Sequence, residues 1–87
     1  MKSEIKKVIK EIVKILLAHD EVSWAGYFQN CEMQLNDDYQ EGIYNIRKVY
    51  GGMGSFNDLV LHENGLPLKK ENDRLDQLRH ELYDLSR

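Results

Sequence analysis

Apolar side chains recur every third or fourth residue over most of the chain, and this periodicity constrains the fold more than any other feature. The first segment, residues 3–19, carries a stripe of Ile5, Val8, Ile9, Ile12, Val13 and Leu16. Such spacing places the side chains on one face of an α-helix, and that face must be buried against other elements. Ser3 is a suitable N-cap. The segment therefore predicts a core helix about 25 Å long.

Two further helices are predicted in the middle of the chain. A second helix over about residues 21–34 has Asp20 as its N-cap, and a third over about 37–50 is capped by Asn36 or Asp37. Their apolar stripes consist of Trp24, Phe28, Cys31 and Leu35 in the second helix, and of Tyr39, Ile43, Ile46 and Tyr50 in the third. Both stripes have helical spacing, so each helix has one face for packing.

The packing of these helices can also be predicted. A last helix over about residues 70–86, capped by Asn72 or Asp73, carries a narrow seam of Leu75, Leu78, Leu82 and Leu85. This seam suits packing against the first helix. Gly26 predicts close approach by another backbone, because glycine in a helix interior costs about 1 kcal/mol relative to alanine. We therefore expect an all-α, compact bundle of four main helices in one domain, residues 1–87, with the first, third and last helices forming the core.

A glycine-rich corner separates the third helix from the last. Its predicted members are Gly51, Gly52, Gly54, Ser55 and Asp58. Gly51 follows the last apolar residue of the third helix, where a left-handed glycine commonly ends a helix. Ser55 and Asp58 have the spacing of a capping box with Asp in place of Glu, so Ser55 is expected to cap a short helical turn. Met53 and Phe56 would then fill the corner.

Two conformations fit the segment that follows, near residues 59–68. It contains two short apolar runs on either side of Asn64-Gly65. Asn-Gly is the strongest short hairpin signal, whereas Pro67 restricts the second arm to the edge of a sheet. The sequence therefore leaves open a tiny β-hairpin and an irregular loop.

No pattern in the chain indicates a catalytic or metal site. The glycine cluster lacks the lysine of a P-loop and the G-x-G-x-x-G spacing of a dinucleotide fold, and a helix precedes it where a strand is needed. The histidines His19, His62 and His80 have no zinc-binding spacing with Cys31. Cys31 lies on an apolar helix face, where cysteine behaves as a small hydrophobic side chain. We therefore expect no enzymatic activity, no metal and no cofactor.

Acidic residues are concentrated in the middle of a chain whose net charge is −3. Residues 15–46 contain no lysine or arginine, and their carboxylates are Asp20, Glu21, Glu32, Asp37, Asp38 and Glu41. This distribution disfavours nucleic-acid binding, which needs clustered basic residues. It suits a basic protein partner, and a merely solvated acidic face is the alternative. The candidate partner-binding residues, at the two helix junctions, are Asp20, Glu21, Asp37, Asp38 and Glu41.

Several features favour a cytoplasmic protein without a membrane segment. The single cysteine, Cys31, excludes an internal disulfide and is typical of a reducing compartment. Charges at Lys10, Glu11 and Lys14 interrupt the N-terminal apolar residues, so this segment does not have the pattern of a signal peptide. No apolar run reaches the roughly 18 residues that predict a membrane-spanning helix.

The stretch "YGGMGSFNDLVL", followed by Asn64-Gly65, Glu71-Asn72 and "LDQLRHELYDL", resembles a family of short bacterial proteins of unknown function. The resemblance covers about residues 44–86. It implies small cytosolic proteins encoded near toxin or secretion loci, and hence an immunity protein that neutralises a basic toxin by electrostatic capture and occlusion. The alternative is a structural module that forms a homodimer through the first helix and the leucine seam.

Overall fold

Four α-helices, a short 3-10 turn and a two-stranded hairpin follow one another in a computed structural model that describes residues 2–51 and 54–87. The elements are α1 (Lys2–Ala18), α2 (Val22–Asp37), α3 (Tyr39–Arg47), the 3-10 turn (Phe56–Asp58), β1 (His62–Glu63), β2 (Leu66–Pro67) and α4 (Lys69–Leu85). The predicted all-α class with four main helices is confirmed. None of the described helices combines the length and the apolar character needed to cross a bilayer.

The first helix lies between two others. α1 packs against α2 and against α4, and its predicted stripe is buried along its whole length. Leu75, Leu78 and Leu82 of α4 are buried, as expected for a seam that faces α1. α3 packs mainly against α2. The expected core of the first, third and last helices is therefore wrong, because α2, and not α3, packs against α1 and supplies more of the buried side chains.

The junction between α1 and α2 differs from the predicted cap. Asp20 has a left-handed backbone with φ of 62°, and its N–H donates to Leu17 O at 3.4 Å. The N–H of Glu21 donates to Leu16 O at 2.9 Å. These two bonds form a Schellman motif, which ends a helix. Asp20 therefore terminates α1, and Glu21 is the N-cap of α2 without a side-chain cap bond.

The junction between α2 and α3 is shorter than predicted. α2 continues to Asp37, and a single extended residue, Asp38, separates it from α3. One carboxylate oxygen of Asp38 accepts a hydrogen bond from the N–H of Glu41 at 3.2 Å. Asp38 is therefore the N-cap of α3, in place of the expected Asn36 or Asp37, because nothing breaks α2 before Asp37.

A close approach between two helices involves Gly42 of α3. A β-carbon at this position would lie 2.9 Å from Leu35 Cδ2 and 3.0 Å from the Leu35 backbone nitrogen. A β-carbon on Gly26 would meet no atom within 4 Å. The prediction of close backbone approach at Gly26 is therefore wrong, and the contact that requires a glycine is the one between α3 and α2.

The corner turns at Gly54, which has φ of +78°. Gly51 lies outside the left-handed region, so the predicted left-handed terminator of α3 is wrong. Ser55 precedes the 3-10 turn but makes no side-chain cap bond; instead Asp58 Oδ2 accepts from the N–H of Gly54 at 2.8 Å. Phe56 is fully buried, as predicted. The predictions for Gly52 and Met53 lie outside the described residues.

The Asn64-Gly65 segment forms a hairpin, which decides between the two predicted conformations. His62 pairs with Pro67 and Glu63 with Leu66 in antiparallel register. Asn64 and Gly65 have φ of 53° and 80°, as a type I′ turn requires at both central positions. The hairpin ends immediately before α4.

The start of α4 is held by a side chain within the helix. α4 begins at Lys69, and its N-cap Leu68 makes no side-chain cap bond. The N–H of Leu61 donates to Asn72 Oδ1 at 2.7 Å, and Asn72 Nδ2 donates to Leu61 O at 2.9 Å. The prediction that Asn72 or Asp73 caps α4 is wrong, because the Asn72 amide joins α4 to the segment that precedes the hairpin.

Candidate functional site

The predicted partner-binding residues lie at two separate places. Asp20 and Glu21 lie at the start of α2, whereas Asp37, Asp38 and Glu41 lie at its other end. α2 contains 16 residues, so the two groups are about 24 Å apart along its axis. They do not form one continuous surface, and we name the three residues at the α2–α3 junction the acidic tip.

The acidic tip is open to solvent. Its three residues are exposed, and none forms an ion pair with a lysine or arginine in the described ranges. Asp38 is engaged as the helix cap, and its carboxylate retains unused acceptor capacity. Negative charge at this position also suits the positive end of the α3 dipole. The tip is therefore an unneutralised negative surface.

Large side chains that flank the acidic tip are exposed as well. Met33 is 63% exposed and lies four residues before Asp37 on α2. Tyr44 is 62% exposed and lies three residues after Glu41 on α3. Residues at these spacings are neighbours on a helix surface. Tyr39, predicted in the apolar stripe of the third helix, is also partly exposed.

A polar seam joins α2 to α3 behind the acidic tip. Tyr27 Oη donates to Asn45 O at 2.6 Å, and Asn45 Nδ2 donates to Gln34 Oε1 at 2.9 Å. Burial raises the pKa of Tyr27 to about 12. Burial also raises the pKa of the Cys31 thiol to about 11, so this thiol stays protonated near neutral pH. The hydrogen bonds of Tyr27 and Asn45 hold α3 against α2 and so fix the position of the acidic tip.

A cleft of about 270 Å³ lies between the corner and α4, lined by Tyr50, Asn57, Arg79, His80 and Tyr83. Arg79 is buried, and its Nη1 donates to Phe56 O at 2.6 Å and to Leu59 O at 2.9 Å. Tyr50 Oη donates to Arg79 O at 2.9 Å, and burial raises the pKa of that phenol. Sequence reasoning missed this cleft, since its residues come from two segments that are distant in sequence, residues 50–57 and 79–83.

Metal coordination finds no support within residues 2–51 and 54–87. No three histidine, cysteine or carboxylate side chains in these ranges are placed to share an ion. His80 lies in the cleft on α4, whereas His62 lies in the hairpin.

Comparison with known proteins identifies one family. A family model for a domain of unknown function, DUF6966, matches residues 17–69, which is more than half of the chain. The chain belongs to this family. No curated protein and no solved structure matches it. The DUF6966 match spans α2, α3, the corner and the hairpin, and it includes the acidic tip.

The DUF6966 match differs in extent from the resemblance drawn from the sequence. It begins at residue 17, well before the expected start near 44, and it ends at residue 69. The leucine seam of α4 therefore lies outside the DUF6966 segment, although this seam was part of the resemblance. The family is one of unknown function, so the match describes ancestry without assigning an activity.

Proposed function

We propose that this DUF6966 protein is a small protein-binding domain that captures a basic partner through the acidic tip. The observation that carries the proposal is the combination of three exposed carboxylates with large exposed side chains beside them. Binding surfaces often pair charged residues with aromatic or methionine anchors. Asp37 and Glu41 would attract a basic partner electrostatically. Tyr44 and Met33 would make apolar contacts that exclude water from the interface.

The finer proposal concerns the partner. A nuclease-like toxin carries a basic surface that binds phosphates, and closely spaced carboxylates can occupy such a surface in place of phosphates. The resemblance of the sequence to proteins encoded near toxin loci motivates this choice. In this scheme the protein acts in the cytoplasm as an immunity protein, which blocks the toxin by occlusion and has no catalytic step.

The experiment measures association with a basic toxin domain encoded beside the gene, at a series of salt concentrations. We expect the double charge reversal Asp37→Lys with Glu41→Lys to slow association at low salt by about tenfold or more and to flatten its salt dependence. Asp38 is left unchanged because it caps α3. Glu11→Lys, an exposed reversal on α1, is the control and should retain fast association.

Two outcomes would overturn the proposal. One is a toxin that binds the double variant and the wild-type chain with the same rate and the same salt dependence. The other is an equal effect of Glu11→Lys, since this would indicate a general effect of net charge. Far-ultraviolet circular dichroism of each variant verifies that the helices are retained.

The homodimer alternative has less support from the packing. Leu75, Leu78 and Leu82 of the seam are buried inside the monomer, and Leu85 is partly buried. The seam is therefore already used within the fold, and a dimer would need another surface. Sedimentation at micromolar concentration distinguishes a monomer that binds a partner from a dimeric module.

A further inference from the structure

The cleft beside α4 combines flat aromatic walls with hydrogen-bond donors. The rings of Tyr50 and Tyr83 are 5.2 Å apart between centroids, and both side chains line the cleft. Asn57 reaches it from the 3-10 turn, and its Nδ2 donates to Tyr50 O at 3.2 Å. An amide NH₂ has two donors, so one remains available. His80 lies exposed at the cleft on α4.

Arg79 places a fixed guanidinium group at the cleft, where Asp76 pairs with it. Its Nη1 donates to two backbone carbonyls and its Nη2 to Asp76, so three of the five guanidinium donors are used. The guanidinium carbon also lies 5.4 Å from the centre of the Phe56 ring. These contacts hold the group in place, and two donors remain for another acceptor.

Two more arginines surround Tyr83. The Arg47 guanidinium carbon lies 4.5 Å from the centre of the Tyr83 ring, and its Nη2 donates to Tyr83 Oη at 3.1 Å. The Arg87 guanidinium carbon lies 6.0 Å from the same ring centre. Arg87 pairs with Asp84, whereas Arg47 has no carboxylate partner in the described part of the chain. Asp76 and Asp84 offset Arg79 and Arg87, so Arg47 supplies the positive charge that no carboxylate of the described residues pairs with.

We propose that this cleft binds a small organic oxyanion, a phosphate or carboxylate carried on a planar group. The oxyanion accepts hydrogen bonds from Arg79, His80 and Asn57, and the tyrosine rings pack against the planar group. Its volume of about 270 Å³ suits a compact molecule. Guanidinium groups are well matched to the geometry of such oxyanions. The proposal is independent of the acidic tip, because the residues that line the cleft follow α3 or lie on α4, whereas the tip lies at the α2–α3 junction.

The test is a titration of the full-length, nitrogen-15-labelled protein with phenyl phosphate, followed by amide chemical shifts. We expect saturable shifts at Asn57, His80 and Tyr83, with a dissociation constant of roughly 1 mM for a probe of this size. Inorganic phosphate lacks the ring and phenol lacks the charge, so each should bind at least about fivefold more weakly. Benzoate, compared with phenyl phosphate, identifies which oxyanion the cleft prefers.

Matched variants locate the binding. His80→Ala and Tyr83→Leu should each weaken phenyl phosphate binding by about fivefold, whereas Arg74→Ala, an exposed change elsewhere on α4, should leave it unchanged. Thermal unfolding of the variants separates lost binding from lost structure, and the exposed His80 remains informative if Tyr83→Leu unfolds. Absence of saturation, equal binding of phenol, equal binding of inorganic phosphate, or an equal loss in Arg74→Ala would each overturn the proposal.

Discussion

At the scale of single residues, two glycines inside helices have opposite roles. Gly42→Ala would place a β-carbon against both the side chain and the backbone of Leu35, so we expect a loss of stability of about 1–3 kcal/mol. Gly26→Ala meets open space and improves helix propensity, so we expect a gain of about 0.5–1 kcal/mol. Urea unfolding of the two variants measures both values. A stabilising Gly42→Ala would contradict the close approach of α3 to α2.

Because the Cys31 thiol is buried, we expect the free energy of unfolding to fall at alkaline pH. Its pKa is raised from the usual 9.0 to about 11, chiefly because burial disfavours the thiolate. The unfolded chain therefore releases this proton first, so stability is intact below pH 9 and is lost between about pH 9 and 11. The slope for one such group is at most about 1.4 kcal/mol per pH unit.

Urea unfolding between pH 9 and pH 10 tests this prediction, because the buried Tyr27, whose pKa rises from its usual 10.0 to about 12, lowers stability mainly above pH 10. Cys31→Ala removes the thiol, so its stability should fall less steeply over this interval than that of the wild-type chain. Equal slopes for the two proteins would show that Cys31 does not carry the effect.

Residue-level predictions from the sequence succeeded where a local pattern was sufficient. The stripe of α1 follows from helical spacing, whereas Asn64-Gly65 indicated a hairpin that the sequence left open beside an irregular loop. Gly26 and Gly42 have the same local appearance, and only the packing of α3 on α2 distinguishes them. Asp20 can also cap a helix or end one, and the backbone of the preceding helix decides which.

At the scale of elements, the Asn72 amide connects α4 to the segment before the hairpin. It satisfies both the N–H and the C=O of the buried Leu61. Asn72→Ala would leave the Leu61 N–H without a partner, whereas Leu61 O would still accept from the N–H of Leu68, so we expect a loss of about 1–3 kcal/mol. Asp73→Ala is the matched control and should change stability by less than about 0.5 kcal/mol, because Asp73 makes only an exposed ion pair with Lys69.

Chemical denaturation of both variants provides the comparison. If Asp73→Ala were the more destabilising change, the start of α4 would depend on a cap at Asp73. That result would support Asp73 as the N-cap, one of the two caps predicted from the sequence. Hydrogen exchange at the Leu61 amide gives a second measurement, since Asn72→Ala should accelerate exchange there before the helices open.

Element boundaries were harder to predict than element types, and the caps explain why. Each predicted helix start depended on a side chain that can cap a helix, yet the described N-caps of α2 and α4 make no side-chain bond. These helices start where the preceding turn ends. The corner shows the same effect, because Asp58 bonds to Gly54 and Ser55 makes no cap bond.

At the scale of the whole molecule, periodicity identified the buried faces without identifying their partners. Of the predicted stripe of the third helix, Tyr50 lies beyond the end of α3 at Arg47. Only Gly42 and Ile46 of α3 are buried, and α2 provides more of the core. The acidic tip was predicted because its residues are close in sequence. The cleft was not, since Tyr50, which follows α3, and Arg79 of α4 come together only in the folded chain.

The same reasoning predicts that the family-matched segment does not fold by itself. Of the sixteen buried hydrophobic residues in the described chain, the six of α1 and the three of α4 lie outside residues 17–69. A fragment of residues 17–69 would expose the faces of α2 that α1 covers. Its two helices are too short to be stable without tertiary packing, so we expect far-ultraviolet circular dichroism typical of an unfolded chain. The full chain should unfold cooperatively. A cooperative transition in the fragment would mean that α1 is dispensable, which its fully buried Ile5, Ile9 and Ile12 argue against.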